Sequence, residues 1–370
     1  MKKFLFALLL LFLISPFFVF AQEETNILEE KIFKAEVIEI LLETKKQSEN
    51  GENFIQQNLK LKGLNNEYKN QEFIFEGIHD FEVVKNNIYQ KGDKVIVVEN
   101  FDFEGNSQIY ITDYYRTNKI YFLFFIFALS VLVIGKWKGF RSLIALLISF
   151  VIILKIIIPK IITGGNPVFI TILGGFIILA LAIYLTQGIN KKAHLINISL
   201  AISLSLAGLL SVAFTSFTKL SGLAGEESIY LINLYGNALN FKGLLLAGIL
   251  IGVLGVLDDV VVSQVSVIEQ LKIANPELSN KEIFFRSLKV GIDHIRSMTN
   301  TLFFAYAGAS LPLLILFNVN EPPFLEFSQV ISNEIVATEI VRMLVGSIVL
   351  IAAIPIASYF ASYFLKIKKK

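Results

Sequence analysis

Gly243-Leu-Leu-Leu-Ala-Gly-Ile-Leu-Ile-Gly-Val-Leu-Gly-Val-Leu-Asp-Asp-Val-Val-Val262 is the stretch whose reading decides the fold. Fifteen apolar or small residues precede Asp258 without interruption. As a helix they rise about 22 Å, most of the ~30 Å hydrocarbon thickness of a bilayer. A soluble helix needs one apolar stripe, whereas this run is apolar on every face, as a membrane span is. The helical period puts Gly248, Gly252, Gly255, Asp259 and Ser263 on one face. Such a small-residue stripe suits close helix packing, so Asp259 is expected to point into a helix bundle. Asp258 is turned by about 100° toward the edge of the stripe.

Working outward, six more segments have this character: 120–134, 143–158, 168–185, 195–214, 301–317 and 343–364. The fold class predicted is an α-helical polytopic membrane protein of about seven transmembrane helices. The linkers sort by charge. Lys136, Lys138 and Arg141 follow the first segment, Lys191 and Lys192 the third, and Lys272, Lys281, Arg286, Lys289 and Arg296 the fifth. Lys366, Lys368, Lys369 and Lys370 end the chain. The alternate linkers hold only Lys160, Lys219 and Lys242, and the last is acidic, with Glu321, Glu326, Glu334 and Glu339. Basic loops stay cytoplasmic. The expected location is therefore the cell (plasma) membrane, with residues 22–117 extracytoplasmic and the C-terminus cytoplasmic.

Met1-Lys2-Lys3, an apolar run over 4–20 and Val19-Phe20-Ala21 before Gln22 read as a signal peptide over 1–21. An uncleaved anchor is the alternative, and either exports the segment after it. The domains expected are thus 1–21, 22–117 and 118–370. Residues 22–117 carry strand signals over 34–43, in the alternation Leu59-Lys60-Leu61-Lys62, at Phe73-Ile74-Phe75, at Val95-Ile96-Val97-Val98 after a Lys91-Gly92-Asp93 turn, and over 108–115. Short strands at this spacing predict a small β-barrel-like domain of OB or SH3 type. His79-Asp80 and 102–106 read as surface turns.

The chain has no cysteine and its three histidines lie far apart, which excludes disulfides, thiolate chemistry and Cys-ligated metals. No metal site and no cofactor are expected, and a net charge of +2 argues against a nucleic-acid partner. Polar chemistry meets the membrane in two places. One is Asp258, Asp259 and Ser263. The other is Asp293, Ser297 and Asn300, which share a helical face entering the sixth segment. Ionisable groups in spans are costly and commonly face a cavity or a partner. Two readings stand for both sets: a proton or cation site, or a structural role in which Asp258 and Asp259 bond neighbouring helix ends or a loop Lys or Arg, and Asp293 forms an interfacial ion pair with Arg296. Between them, Ser279 and Glu282 have capping-box spacing and open an amphipathic stretch expected to lie along the inner membrane surface.

Several of these segments resemble the YibE/F-like family of bacterial multispanning membrane proteins. They are Tyr89-Gln-Lys-Gly-Asp-Lys-Val-Ile-Val, Gly135-Lys-Trp-Lys-Gly-Phe-Arg-Ser, Gly252-Val-Leu-Gly-Val-Leu-Asp-Asp-Val, Gly291-Ile-Asp-His and Thr299-Asn-Thr-Leu-Phe-Phe-Ala-Tyr-Ala-Gly. Ile292 departs from the pattern, standing where a basic residue is expected before the aspartate. The resemblance implies the same layout of signal, outer domain and helical bundle, and little about activity. Motifs of intramembrane proteases are missing from the sequence, so no enzyme is expected. The function expected is a transporter or channel-like permease with an intramembrane acidic site, whose partners are the lipid bilayer and protons or cations. The alternative is a membrane-anchored assembly or sensor protein whose residues 22–117 bind an extracytoplasmic partner.

Overall fold

The computed structural model describes residues 31–47, 53–78, 88–101, 107–319, 321–322 and 324–366. The signal-peptide stretch, His79-Asp80 and the turn over 102–106 lie outside them. The chain divides into two compact units, residues 1–127 and 128–370.

The first unit is a five-stranded antiparallel sheet in the order β3-β2-β1-β4-β5. Its strands are β1 (Lys31–Gln47), β2 (Asn53–Gly63), β3 (Glu72–Glu76), β4 (Lys94–Phe101) and β5 (Ser107–Tyr114). The long β1 serves two partners, pairing β4 along Lys31 to Glu36 and β2 from Ala35 onward. Period-two alternation sends Phe33, Ala35 and Val37 of β1, Leu59 and Leu61 of β2, and Val95 and Val97 of β4 to one buried face. The strict alternation read in 59–62 is the inward and outward faces of β2. Phe33 stacks on Tyr68 at 4.2 Å between ring centroids and meets Phe73 at 5.0 Å. Gln57 fastens the segment before β4 to β2, its amide donating to the Tyr89 carbonyl at 3.1 Å and accepting from the Tyr89 N–H at 2.8 Å.

Tyr68 donates its hydroxyl to Glu99 at 2.5 Å inside this core. Burial, and then the neighbouring Glu99 carboxylate, raise the phenol's pKa above its ordinary value. An unfolded tyrosine loses its proton near pH ~10. The folded phenol holds its proton more tightly, so its contribution to stability is complete below that pH. It is lost as pH rises from there toward the raised folded value. Tyr68→Phe is therefore expected to flatten the alkaline limb of the sheet's unfolding profile, followed by circular dichroism against pH. Tyr115 shifts the opposite way: Lys34 donates to its hydroxyl at 3.0 Å and lowers its pKa.

The second unit is helical. Among the described residues, five helices are long and apolar enough to cross a membrane, 117–162, 167–187, 191–217, 241–274 and 334–364, the first of them beginning in the sheet unit. The sequence reading expected seven segments. The first helix, α1 (Thr117–Ile152), continues through a wide turn at Ile153–Ile157 into α2 (Ile158–Ile162), and so contains the expected segments 120–134 and 143–158. It is not one straight rod. Lys136 has φ 49° and ψ −132°, outside the helical region. A Cβ at Gly139 would lie 2.3 Å from the Val131 carbonyl oxygen. Residues eight apart in a straight helix are separated by about 12 Å, so the chain turns back at Lys136.

The remaining helices are α3 (Pro167–Gln187), α4 (Lys191–Phe217), α5 (Glu226–Tyr235), α6 (Phe241–Ala274), α7 (Asn280–Ala309), α8 (Leu311–Ile315), α9 (Phe327–Ser332) and α10 (Glu334–Phe364). The core lies where α4, α6 and α10 pack on one another, with α3 and α7 against them. Ser199, Ser203, Ala207, Ser211 and Thr215 recur at every fourth residue of α4, all fully buried. Small side chains there let a neighbouring helix approach α4 closely. Polar ties close the two ends of the bundle. At one end Lys192 pairs with Glu269 at 2.7 Å, and Lys272 donates to the Ser362 and Leu365 carbonyls at 2.6 and 2.8 Å. At the other, Glu334 accepts from the Ser221 N–H, the Ser221 hydroxyl and the Gly222 N–H at 2.5, 2.7 and 3.0 Å.

Two expectations change here. The amphipathic stretch after Ser279 and the start of the sixth segment are one continuous helix, α7, rather than a surface helix followed by a separate span. The expected capping box is present, with Ser279 accepting from the Glu282 N–H at 3.2 Å. The sixth segment, 301–317, is not one helix. It breaks at Ser310, because Pro312 has no N–H to donate to the Gly308 carbonyl and its ring crowds that carbonyl, so a new short helix begins at Leu311.

Candidate functional site

The α6 helix starts at Asn240, whose side chain accepts from the Gly243 N–H at 2.8 Å. Its 34 residues reach about 51 Å, longer than a bilayer's hydrocarbon core. Leu246, Leu250, Val253, Leu257, Val260, Gln264 and Ile268 are buried against α3, α4, α7 and α10. The opposite face carries Gly248, Gly255 and Asp259, all exposed, with Gly252 and Ser263 partly so.

This corrects the expected sense of the stripe. The residues do share a face, but that face is turned away from the bundle of this chain. The leucines and valines supply the volume that fills the space between five helices, and the glycines are left outside. A Cβ at Gly248 or Gly255 would meet nothing within 4 Å. Gly252 alone packs closely: its Cβ would fall 2.4 Å from the Tyr306 hydroxyl of α7. Of the acidic pair, Asp259 is the exposed one. Asp258 is partly buried, and its carboxylate accepts from the Asp259 N–H at 3.0 Å.

Helix α7 runs antiparallel to α6. Ser287 lies beside Gln264, and Tyr306 lies beside Gly252. The middle of α7 is therefore level with Asp258 and Asp259. Asp293, Ser297 and Asn300 share a face as expected, and all three are exposed. Buried Ile283, Ser287, Gly291 and Leu302 form the opposite face of the helix. Asp293 and Arg296 approach to 3.6 Å with side chains 79% and 77% exposed, an ion pair of small energetic weight. No hydrogen bond or ion pair among the described residues joins Asp258 or Asp259 to Asp293, Ser297 or Asn300. The two polar sets share a depth without meeting. Also among the described residues, no group of three or more His, Cys, Asp or Glu could hold a metal.

The polar residue that does organise the helices is Gln264. It is 1% exposed and donates to the Ser287 carbonyl of α7 at 2.9 Å and to the Ser358 hydroxyl of α10 at 2.7 Å. A Cβ at Gly291 would lie 2.5 Å from Ile354 Cγ2 and 3.1 Å from the Gln264 side-chain oxygen. Sequence reasoning passed over this junction. The available signal was an amide falling on the same face of α6 as Leu250, Val253 and Leu257.

No curated protein and no solved structure matches the chain. A family profile described as YibE/F-like protein matches residues 123–367, which take in the turn at Lys136, the acidic pair of α6, the Gln264 junction and the whole of α7 and α10. With more than half of its length so matched, and helices apolar enough to cross a bilayer, the chain belongs to the YibE/F-like family.

Proposed function

We propose that this chain is a membrane transport protein of the cell membrane. In this reading the outward polar faces of α6 and α7 line a path for protons or cations. The observation that supports it is Asp259, an exposed carboxylate on a glycine face of a helix with mean hydropathy 2.4 over its most apolar window. Against lipid such a group costs about 2.5–3.5 kcal/mol on insertion scales, so it belongs in water or against a partner. Asp258 and Ser263 extend the polar surface along α6, and Asp293, Ser297 and Asn300 supply a second one at the same depth. The topology that goes with this reading has seven crossings. The turn at Lys136 divides the first long apolar stretch in two, and residues 301–317 cross as a broken helix beside α6. Residues 22–117 then lie outside the cell and the C-terminus inside.

The test is flux in proteoliposomes. Asp259→Asn is expected to lower a proton- or cation-dependent flux at least about tenfold, roughly the loss of one good charge interaction, with the amount of folded protein unchanged. Equal flux in the variant sinks the reading.

A second reading, an anchored assembly or sensor protein, draws support from the sheet unit, which has a buried core of its own. Deleting the sheet while leaving flux intact, yet reproducing the phenotype of a null, would favour it.

A further inference from the structure

The sheet unit has a cleft of about 610 Å³ where the chain leaves β5 and enters α1. Three cations line it, Lys94, Arg116 and Lys119, against a single acid, Asp93. The Asp93 carboxylate is engaged by its own turn, accepting from the Gln90 N–H at 2.8 Å. Arg116 is held in place by Asp113 at 2.6 Å and lies over the Tyr114 ring, 5.4 Å from its centroid. Lys94 and Lys119 are exposed and form no ion pair among the described residues. Asn118 and Lys119 belong to the first turn of α1, whose earliest backbone N–H groups have no partner within the helix. Three side-chain cations and the first turn of α1 thus meet at one cleft. Tyr114 and Tyr115 supply amphipathic walls.

The depth of this cleft is set by its neighbours in the chain. Ile120, Tyr121, Phe122, Leu123, Phe124, Phe125 and Ile126 begin directly after Lys119, all exposed and all in the same unit. Seven consecutive exposed apolar residues at the head of a candidate span belong in hydrocarbon, so the cleft one turn earlier lies at headgroup depth. Tyrosine and lysine or arginine are the residues found there.

We propose that this cleft binds the phosphate of an anionic lipid headgroup, with Lys94 and Lys119 as its charge partners and Arg116 positioned by Asp113 at its wall. The site is independent of the transport path, since it uses no residue of α6 or α7.

The test uses the full chain in an uncharged detergent, titrated with short-chain phosphatidylglycerol, with phosphatidylcholine of the same chain length, and with inorganic phosphate. Bound molecules are counted by native mass spectrometry. The wild type is expected to prefer phosphatidylglycerol over phosphatidylcholine. Lys94→Gln and Lys119→Gln should each weaken that binding about 5-fold and the double variant about 25-fold, the factor equivalent to ~1 kcal/mol for each cation beside an anionic surface. Lys69→Gln, an exposed lysine away from the cleft, should leave it unchanged. A circular-dichroism signature of the sheet retained in the double variant separates loss of binding from loss of fold. Where inorganic phosphate competes at the same lysines, a soluble phosphate shares the site. Where it does not, the lipid is the source. Equal binding of the two lipids by the wild type, or double-variant binding equal to wild type with the sheet intact, overturns the assignment.

Discussion

Gly291→Val is expected to destabilise the helical unit by about 1–3 kcal/mol, the range for forcing extra methyl groups into a packed core. It should be read as a lower midpoint of thermal unfolding in detergent and a smaller folded yield. The position leaves no room: a Cβ would lie 2.5 Å from Ile354 Cγ2 and 3.1 Å from the Gln264 side-chain oxygen. Either α7 withdraws from α10, or the Gln264 amide turns and loses its bonds to Ser287 and Ser358. The second course strands a buried amide, at about 1–3 kcal/mol for each unmade hydrogen bond. The informative contrast is Gly248→Ala. That Cβ meets nothing within 4 Å, and alanine is favoured over glycine in a helix by about 0.5–1 kcal/mol. The same kind of change is thus expected to have opposite signs at two glycines of adjoining helices. A midpoint lowered by Gly248→Ala would mean that the glycine face of α6 is covered in the protein as purified.

In the sheet unit, Phe33→Ala is expected to cost about 3–5 kcal/mol, the range for truncating a buried aromatic side chain. Phe33 is fully buried on the central strand and joins Tyr68 and Phe73 in one ring cluster. Small domains are stable by about 5–15 kcal/mol in all, so this loss takes the sheet close to unfolding at growth temperature. Limited proteolysis of membranes carrying the variant should release fragments from residues 31–114 while the helical unit stays intact. Resistance equal to wild type would show that the ring cluster carries little of the stability.

The five strands were legible because each carries its own record. Leu59 and Leu61 alternate with lysines, and Lys91-Gly92-Asp93 marks the turn before β4. In α6, periodicity told which residues share a face and could not tell which way that face looks. Gly248, Gly255 and Asp259 do line up, but direction is set by what surrounds the helix. Four neighbours chose the bulkier side. The expected site suffered the same ambiguity twice, since Asp293, Ser297 and Asn300 also line up and also face out. Gln264 and the Ser199 to Thr215 row escaped notice for the opposite reason. A single amide or a serine every fourth residue is unremarkable until the facing helices are known. The OB-like or SH3-like barrel expected for residues 22–117 is a finer matter. The sheet has the strand order β3-β2-β1-β4-β5, and closing it would bring the edges β3 and β5 together, strands whose Cα atoms already approach within 8 Å.

The turn at Lys136 carries more than local geometry. In a chain threaded through a bilayer, each reversal decides the side of every later segment. A stretch of 46 residues with mean hydropathy 2.7 over its most apolar window offers few other marks of where to double back. One residue off the helical path and a glycine three positions later do so, beside the cations Lys136, Lys138 and Arg141. Were α1 to continue straight through them, the count of reversals would drop by one. Every later helix would then run through a bilayer in the opposite sense.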